Sequence, residues 1–213
     1  MTTIAIFGGT FDPPHVGHLT LASAACVQLN IQRLLWMLTP IPPHKLHQIT
    51  TPLHHRLKMV ELAIAECPEF ELSLLELHRP GPHYSLDTVR MLQEQNPGSE
   101  IAYLMGGDSL RDLPGWHRPS ELVAALGFIG VMRRSDSEID LPALEQSIPG
   151  ITAKVHFVDV PLVDISAREI RALALAGKPF REFVPSAVYD YIIEHKLYQP
   201  SLFDQEYPPI SKG

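Results

Sequence analysis

An apolar, β-prone run at residues 3–7 passes directly into the stretch GGTFDPPHVGH at residues 8–18, which contains three glycines, two adjacent prolines and two histidines. Apolar residues then recur at helical spacing at positions 19, 22, 26 and 29. A strand that leads through a glycine-rich loop into a helix is the repeating unit of parallel α/β sheets. This feature constrains the fold more than any other part of the chain.

The same alternation continues along the chain. Further strands are predicted at 33–38, 70–77, 100–105, 127–132 and 155–160, and helices at 53–66, 85–95, 166–176 and 186–196. The segment 134–153 is predicted to be a linker with one short helix. Because such strands are joined by right-handed crossovers, we predict an α/β fold, a Rossmann-like doubly wound parallel sheet with a small helical C-terminal part at about 164–199. We expect residues 1–199 to form a single domain and residues 200–213 a weakly ordered tail.

Composition narrows the class of protein. The 213 residues include 45% apolar and 19% charged side chains, which is typical of a globular chain, and the net charge is -7. This charge argues against sequence-independent binding to nucleic acid and against attachment to an anionic membrane surface. Cys26 and Cys67 lie in apolar, helix-like segments without metal or redox spacing. No secretory or membrane-spanning pattern is visible, so we expect a cytoplasmic protein, and no pattern specifies an oligomeric state.

The loop after the first strand lies where a doubly wound sheet binds its ligand. Gly8, Gly9 and Thr10 let the backbone approach a phosphate, although their spacing fits neither the dinucleotide fingerprint nor the P-loop. Pro13 and Pro14 are expected to set the entry to the following helix.

The two histidines of the same stretch, His15 and His18, are three residues apart and so fall on one side of the first helical turn. Backbone N–H groups and the positive end of the helix dipole favour an anion there. Two other interpretations stay open. The pair could face solvent at an ordinary helix start, or it could form half of a metal site, for which no carboxylate or cysteine lies at ligand spacing.

Two separated motifs carry a resemblance to a known family. GGTFDPPHVGH resembles the H-x-G-H signature of the nucleotidylyltransferase superfamily, and ISAREIR at 165–171 resembles its second signature. To about residue 198 the chain resembles the bacterial nicotinate-nucleotide adenylyltransferase family. The resemblance implies adenylyl transfer from ATP to nicotinate mononucleotide, with pyrophosphate as the second product. Alternatives are nicotinamide mononucleotide or phosphopantetheine as acceptor, a nucleotide-binding protein without catalysis, or a metal-binding protein that uses further histidines such as His44, His47, His54 and His55.

The resemblance also implies roles on the ATP side. His15, His18 and Lys45 are expected to hold the reacting phosphates, and Ser166 and Arg171 to contact ATP phosphates. Ser166 also starts a Ser-x-x-Glu capping box, which is a structural role compatible with binding. Arg168 departs from the family, which usually has threonine there. The full set of ATP-binding candidates is Gly8, Gly9, Thr10, Phe11, His15, His18, Gly106, Asp108, Arg133, Ser166 and Arg171. Asp108 could instead cap a helix, and Arg133 could form a solvated pair with Arg134.

The acceptor side is assigned in the same way. Trp116 follows a Pro-Gly turn and offers a flat surface to a heteroaromatic ring, although it could simply anchor its loop. The residues expected to bind nicotinate mononucleotide are His44, Lys45, Tyr84, Ser85, Trp116 and His117. Of the family's Ser-Tyr-Thr element only Tyr84 is retained. Mg²⁺ is expected to enter with ATP through the phosphates, so we assign it no protein ligand.

Overall fold

The computed structural model describes residues 2–39, 50–132, 139–160 and 165–199. Six strands form one parallel sheet in the order β3-β2-β1-β4-β5-β6. Their bounds are β1 Thr3–Gly9, β2 Arg33–Leu38, β3 Phe70–Ser73, β4 Glu100–Gly106, β5 Ile129–Met132 and β6 Val155–Val158. The predicted α/β class and doubly wound parallel sheet are confirmed.

Eight α-helices accompany the strands in the described part of the chain. They are α1 Val16–Gln28, α2 Leu53–Ile64, α3 Ser85–Gln95, α4 Gly107–Asp112, α5 Pro119–Ala125, α6 Leu141–Ser147, α7 Ala167–Leu175 and α8 Ser186–Glu194. Short 3-10 turns lie at Leu113–Gly115 and Arg181–Phe183. Among the helices described, none is long and apolar enough to cross a membrane.

Helices cover both faces of the sheet. Because side chains alternate between the faces along each strand, each strand contributes residues to both buried faces. On one face, strand residues such as Phe7 and Trp36 pack against α1, α2, α7 and α8. On the other face, residues such as Ile6 and Met37 pack against α3, α4, α5 and α6. The two core clusters explain why β1 and β2 are apolar almost throughout.

The position of β1 determines where a ligand can bind. β1 lies between β2 and β4, so the chain leaves β1 towards one side of the sheet and returns later on the other side. A crevice opens at such a switch point, beyond the carboxyl ends of the strands. The residues at those ends are Gly9, Leu38 and Gly106.

Several elements differ from the predictions. β3 ends at Ser73, and the apolar residues after it form a turn in which Leu75 packs onto the core. An apolar run predicts burial, but not whether an extended strand or a turn provides it. α4 and α5 were not predicted. α5 was missed because the apolar stretch 122–132 contains both the end of α5 and the whole of β5 without a polar break. The two prolines precede α1, which begins at Val16 with His15 as its N-cap.

Candidate functional site

A cleft of about 650 Å³ lies at the switch point, which is a typical volume for a small-molecule site. Its walls come from the carboxyl ends of β1 and β4, the start of α1, and the segments before α3 and α5. The predicted site residues that line it are Gly8, Gly9, Thr10, His15, His18, Tyr84, Ser85, Gly106, Trp116 and His117. The predicted residues Phe11, Asp108, Ser166 and Arg171 do not line it, and His44, Lys45 and Arg133 lie outside the described residues.

The two histidines are in direct contact at the start of α1. Their ring centroids are 3.7 Å apart. The backbone N–H of His15 donates to Nδ1 of His18 at 3.2 Å. A nitrogen that accepts a hydrogen bond carries no proton, so the neutral His18 ring carries its proton on Nε2. His18 therefore presents an N–H donor at Nε2, which suits a phosphate oxygen.

The aromatic rings of Phe7 and Phe11 pack against the imidazole of His18. Its ring centroid lies 5.1 Å from that of Phe11 and 6.0 Å from that of Phe7, and both pairs pack edge to face. Phe11 is only 2% exposed, so its ring supports the histidine instead of facing the cleft. Its backbone has a φ of 48°, a left-handed conformation that is rare for a bulky residue and that clusters at functional loops.

The glycines of the first loop are required by close packing. A Cβ at Gly9 would lie 2.8 Å from two atoms of the Phe11 ring. A Cβ at Gly8 would lie 2.7 Å from the hydroxyl of Tyr103. Both distances are shorter than real carbon contacts, so side chains at these positions would displace the rings that shape the cleft.

The opposite end of the cleft is built from aromatic side chains. Trp116 packs edge to face on Tyr103, with 5.9 Å between centroids, and the Tyr84 ring stacks on His117 at 3.9 Å. Burial raises the pKa of Tyr103 to about 12, while a side-chain hydrogen bond with Ser85 opposes the shift. The Tyr103 hydroxyl is thus protonated across the physiological range.

Sequence reasoning missed the polar group that holds the turn before α3. Arg79 donates to the carbonyl of Tyr84 at 3.2 Å and to Thr88 Oγ1 at 3.0 Å. Thr88 in turn donates to Glu76 at 2.8 Å, and Glu76 lines the cleft. Burial raises the pKa of Glu76, and the hydrogen bond from Thr88 and the charge of Arg79 oppose that shift. His83 also lines the cleft, with Nδ1 buried and without a hydrogen-bond partner among the described residues.

The remaining ATP-side candidates have structural contacts of their own. Ser166 caps α7: its hydroxyl donates to Glu169 Oε2 at 2.6 Å and accepts from the backbone N–H of Glu169 at 3.3 Å. Arg171 donates to the backbone carbonyl of Asp12 at 2.6 Å. Asp108 is 62% exposed in the first turn of α4 and forms an ion pair with Arg111. Arg168 is exposed on the first turn of α7.

No cluster of three or more histidine, cysteine or acidic side chains with metal-binding geometry occurs within the described ranges. Those ranges omit His44 and His47, which belonged to the alternative of a histidine-lined metal site. His54 and His55 stack on each other at 4.1 Å on α2, and His55 bonds to Tyr191 of α8 at 2.9 Å. This contact joins two helices, away from the residues that line the cleft.

The comparison with known families agrees with a parallel sheet that carries a glycine loop and two histidines at its switch point. The family model described as cytidylyltransferase-like matches residues 6–173, and the chain belongs to that family. The chain is 37% identical over 199 residues to the nicotinate-nucleotide adenylyltransferase of Bacillus subtilis, covering 93% of this chain and 100% of the relative. It is 40% identical over 199 residues to a Thermomicrobium roseum protein named "Probable nicotinate-nucleotide adenylyltransferase", covering 93% and 92%. Within the class, the chain is a member of the nicotinate-nucleotide adenylyltransferases.

Solved structures show the same fold. A Plasmodium falciparum nicotinic acid mononucleotide adenylyltransferase complexed with NaAD superposes with a TM-score of 0.75 at 21% identity, covering 93% of this chain and 98% of that chain. The same P. falciparum enzyme complexed with APC gives a TM-score of 0.75 at 22% identity, with the same coverage of both chains.

Proposed function

We propose that this chain transfers the adenylyl group of ATP to nicotinate mononucleotide, with nicotinate adenine dinucleotide and pyrophosphate as products. The observation that carries the proposal is the identity of 37% to 40% with nicotinate-nucleotide adenylyltransferases over 93% of the chain. The cleft at the switch point supports it, because its two ends differ in the way that two different substrates require. One end has paired imidazoles beside a helix N-terminus, and the other has aromatic faces.

The chemistry requires no side-chain nucleophile. A phosphate oxygen of nicotinate mononucleotide attacks the α-phosphorus of ATP, and the bond from that phosphorus to the oxygen bridging the α- and β-phosphates breaks. Pyrophosphate leaves with the electron pair of the broken bond. Catalysis then consists of holding the two substrates in line and stabilising negative charge on the phosphate oxygens.

The ATP phosphates are assigned to His15 and His18, which lie at the N-terminus of α1 and face the cleft. The donor character of Nε2 on His18 supports this role, because a hydrogen bond to a phosphate oxygen stabilises negative charge there without a proton transfer. We further assign Lys45, Ser166 and Arg171 to the phosphates on the strength of the family motifs. Arg171 already lies against the loop that carries Asp12.

Mg²⁺ is proposed to enter as part of the substrate MgATP. Mg²⁺ commonly keeps several waters and binds through substrate phosphates, so we assign it no protein ligand. The residues that line the phosphate end are imidazoles and backbone groups, so they would contact the phosphates and not the ion.

The pyridine ring is assigned to Trp116, with Tyr84, Ser85 and His117 around it. Trp116 is backed by Tyr103, and the Tyr84–His117 stack closes the side of the cleft. Nicotinamide mononucleotide is the alternative acceptor, since it differs from nicotinate mononucleotide only by an amide in place of the carboxylate. A cytoplasmic location is also proposed, because Cys26 and Cys67 are both free thiols.

The test is pyrophosphate release from MgATP with nicotinate mononucleotide and nicotinamide mononucleotide assayed in parallel. We expect turnover with the nicotinate compound and a kcat/KM at least tenfold lower with the amide. Preference for the amide would overturn the choice of acceptor. If neither compound supports turnover while ATP still binds, the chain is a nucleotide-binding protein without this activity.

A further inference from the structure

A buried arginine joins three separate segments, one of which is the glycine loop. Arg56, on α2, is 2% exposed. Its Nε donates to the carbonyl of Thr51 at 2.9 Å, and its Nη1 donates to the carbonyls of Thr10 and Thr39 at 3.1 Å each. Thr10 belongs to the glycine loop, Thr39 follows β2, and Thr51 precedes α2. One guanidinium therefore determines how these three segments lie relative to one another.

A buried carboxylate connects the same loop to the end of the described chain. Asp12 is 3% exposed. Its Oδ1 accepts from the hydroxyl of Tyr198 at 2.8 Å, and its Oδ2 accepts from the backbone N–H of Thr51 at 3.1 Å. Its backbone carbonyl accepts from Arg171 at 2.6 Å. Asp12 thus links the glycine loop to α7 and to the residues after α8.

Burial affects the pKa values of two side chains in this set, Tyr198 and Arg56. Burial and the neighbouring Asp12 carboxylate raise the pKa of Tyr198 well above its ordinary value, so its hydroxyl always carries the proton that it donates. Burial lowers the pKa of Arg56, and the charge of Asp12 opposes that change. Tyr198 is bonded to Asp12, and both Asp12 and Arg56 are bonded to the backbone of Thr51. Such buried hydrogen bonds favour one arrangement, since an alternative would leave a buried polar group unpaired.

None of these three side chains lines the cleft. Among the described residues, their hydrogen bonds reach Thr10 and Arg171, which are candidates for the ATP side, and Thr39 and Thr51, which stand on either side of residues 40–49 in the sequence; none of these bonds reaches Trp116. We propose that Asp12, Arg56 and Tyr198 are positioning residues that hold the ATP-phosphate end of the site, and that the hydroxyl of Tyr198 acts on ATP binding through Asp12. This inference rests on the proposed function for the identity of the nucleotide.

The test removes one oxygen atom. Tyr198→Phe keeps the buried ring, which is 3% exposed, and deletes the donor to Asp12. We expect the Kd and the KM for MgATP to rise about tenfold, because a carboxylate oxygen loses a buried partner and the loop it holds relaxes. The KM for nicotinate mononucleotide should stay within about twofold. The matched control is Tyr191→Phe, which also loses a phenolic hydrogen bond, but one that joins α8 to His55 of α2 instead of to Asp12.

Asp12→Asn is the second variant, because it keeps the size of the side chain but replaces one acceptor with an N–H₂ donor. An ATP-selective loss in either variant, with Tyr191→Phe unchanged, supports the inference. Equal changes for both substrates, or unchanged ATP binding in both variants, overturn it. Direct binding of MgATP keeps the two proposals distinguishable: a wild-type protein that binds ATP without turnover contradicts the proposed function, while the effect of Tyr198→Phe on Kd still tests the positioning role.

Discussion

At the scale of single residues, the hydrogen bond from the His15 backbone to Nδ1 of His18 determines how the second histidine can act. It places the proton of the neutral ring on Nε2, while the rings of Phe7 and Phe11 limit the rotation of the imidazole. A donor whose direction is set before the substrate binds requires little reorganisation during the reaction. The spacing of the two histidines predicted an anion site, whereas this tautomer depends on a capping geometry seen only in the structure.

We expect His18→Ala to lower kcat by about 10² to 10³-fold, which is typical for the loss of one preorganised donor to a developing charge. Its thermal unfolding should show that the fold is intact. His78→Ala, an exposed histidine away from the cleft, is the control and should leave kcat unchanged. Retention of activity by His18→Ala would contradict the role given to this side chain.

A second prediction for a single residue concerns the binding of the acceptor, nicotinate mononucleotide. Trp116→Ala removes the ring that packs on Tyr103 and faces the cleft, and it should raise the KM for nicotinate mononucleotide about tenfold or more, as expected for a lost stacking surface. Trp116→Phe should restore part of the affinity because a smaller flat ring remains. Steady-state kinetics with each substrate varied in turn will decide, and an effect confined to ATP would refute the stacking role.

At the scale of elements, α1 and α7 both begin with a residue whose side chain takes part in a reciprocal cap, His15 with His18 and Ser166 with Glu169. Both helix starts belong to the two motifs that carry the family resemblance. The Ser166 box was predicted from the Ser-x-x-Glu spacing and is present. The hydroxyl of Ser166 donates to Glu169, so Ser166 must release this hydrogen bond before it can donate to a phosphate.

This competition separates the two roles of Ser166. Ser166→Ala and Glu169→Ala both break the box, and each should lower the free energy of unfolding by about 1 kcal/mol, which corresponds to a Tm decrease of about 2 to 4 °C in a domain of this size. If the hydroxyl also binds ATP, only Ser166→Ala should raise the KM for ATP. Equal KM values in the two variants would leave Ser166 with a capping role alone.

Two departures from the predicted elements, the unpredicted α5 and the early end of β3, have a common cause. α5 and β5 lie within one apolar stretch, and the turn after β3 continues the apolar run of the strand. Local hydrophobicity indicates that these residues are buried, but it does not indicate where the chain turns. The place where the chain turns depends on tertiary packing, in which Leu75 and Leu122 contact the same core cluster.

At the scale of the whole molecule, the pH dependence of folding reports on the buried Glu76. Its pKa is raised in the folded protein because it is only 7% exposed. The folded state therefore binds the proton more tightly than the unfolded chain. The stability from Glu76 is fully present below the ordinary glutamate pKa of about 4.3 and is lost as pH rises through the folded pKa, by at most about 1.4 kcal/mol per pH unit.

Glu76→Gln removes this ionisation while keeping an oxygen that can accept from Thr88. Its stability relative to the wild type should increase as pH rises from 4 to 7, as measured by urea unfolding at each pH. Glu145→Gln is the control: backbone N–H groups of Gly150 and Thr152 lower the pKa of Glu145, so its contribution to stability is lost only as pH falls below the ordinary glutamate pKa of about 4.3. The difference between Glu145→Gln and wild type should therefore stay nearly constant above about pH 5. A difference between Glu76→Gln and wild type that does not vary with pH would contradict the raised pKa.

The alternation of strands with helices, apart from α4 and α5, the placement of the glycine loop at a carboxyl strand end, and the family itself could be predicted from the sequence. These features depend on short-range periodicity, on handed crossovers and on motifs contiguous in the chain. The division into a domain ending at residue 199 and a tail stays a prediction, as do the roles of His44, Lys45 and Arg133, since these lie outside the described residues.

Only the tertiary structure decided which buried groups hold the cleft together. Asp12 and Tyr198 are 186 residues apart in the chain, and Arg56 reaches a carbonyl 46 residues away. The stack of Tyr84 on His117 and the packing of Trp116 on Tyr103 likewise join separate elements. Such contacts leave no periodic signal, because a partner brought near by the fold has no fixed spacing in sequence. The sequence by itself determined the class of sheet and the place of the site, and the three-dimensional packing determined the residues that position it.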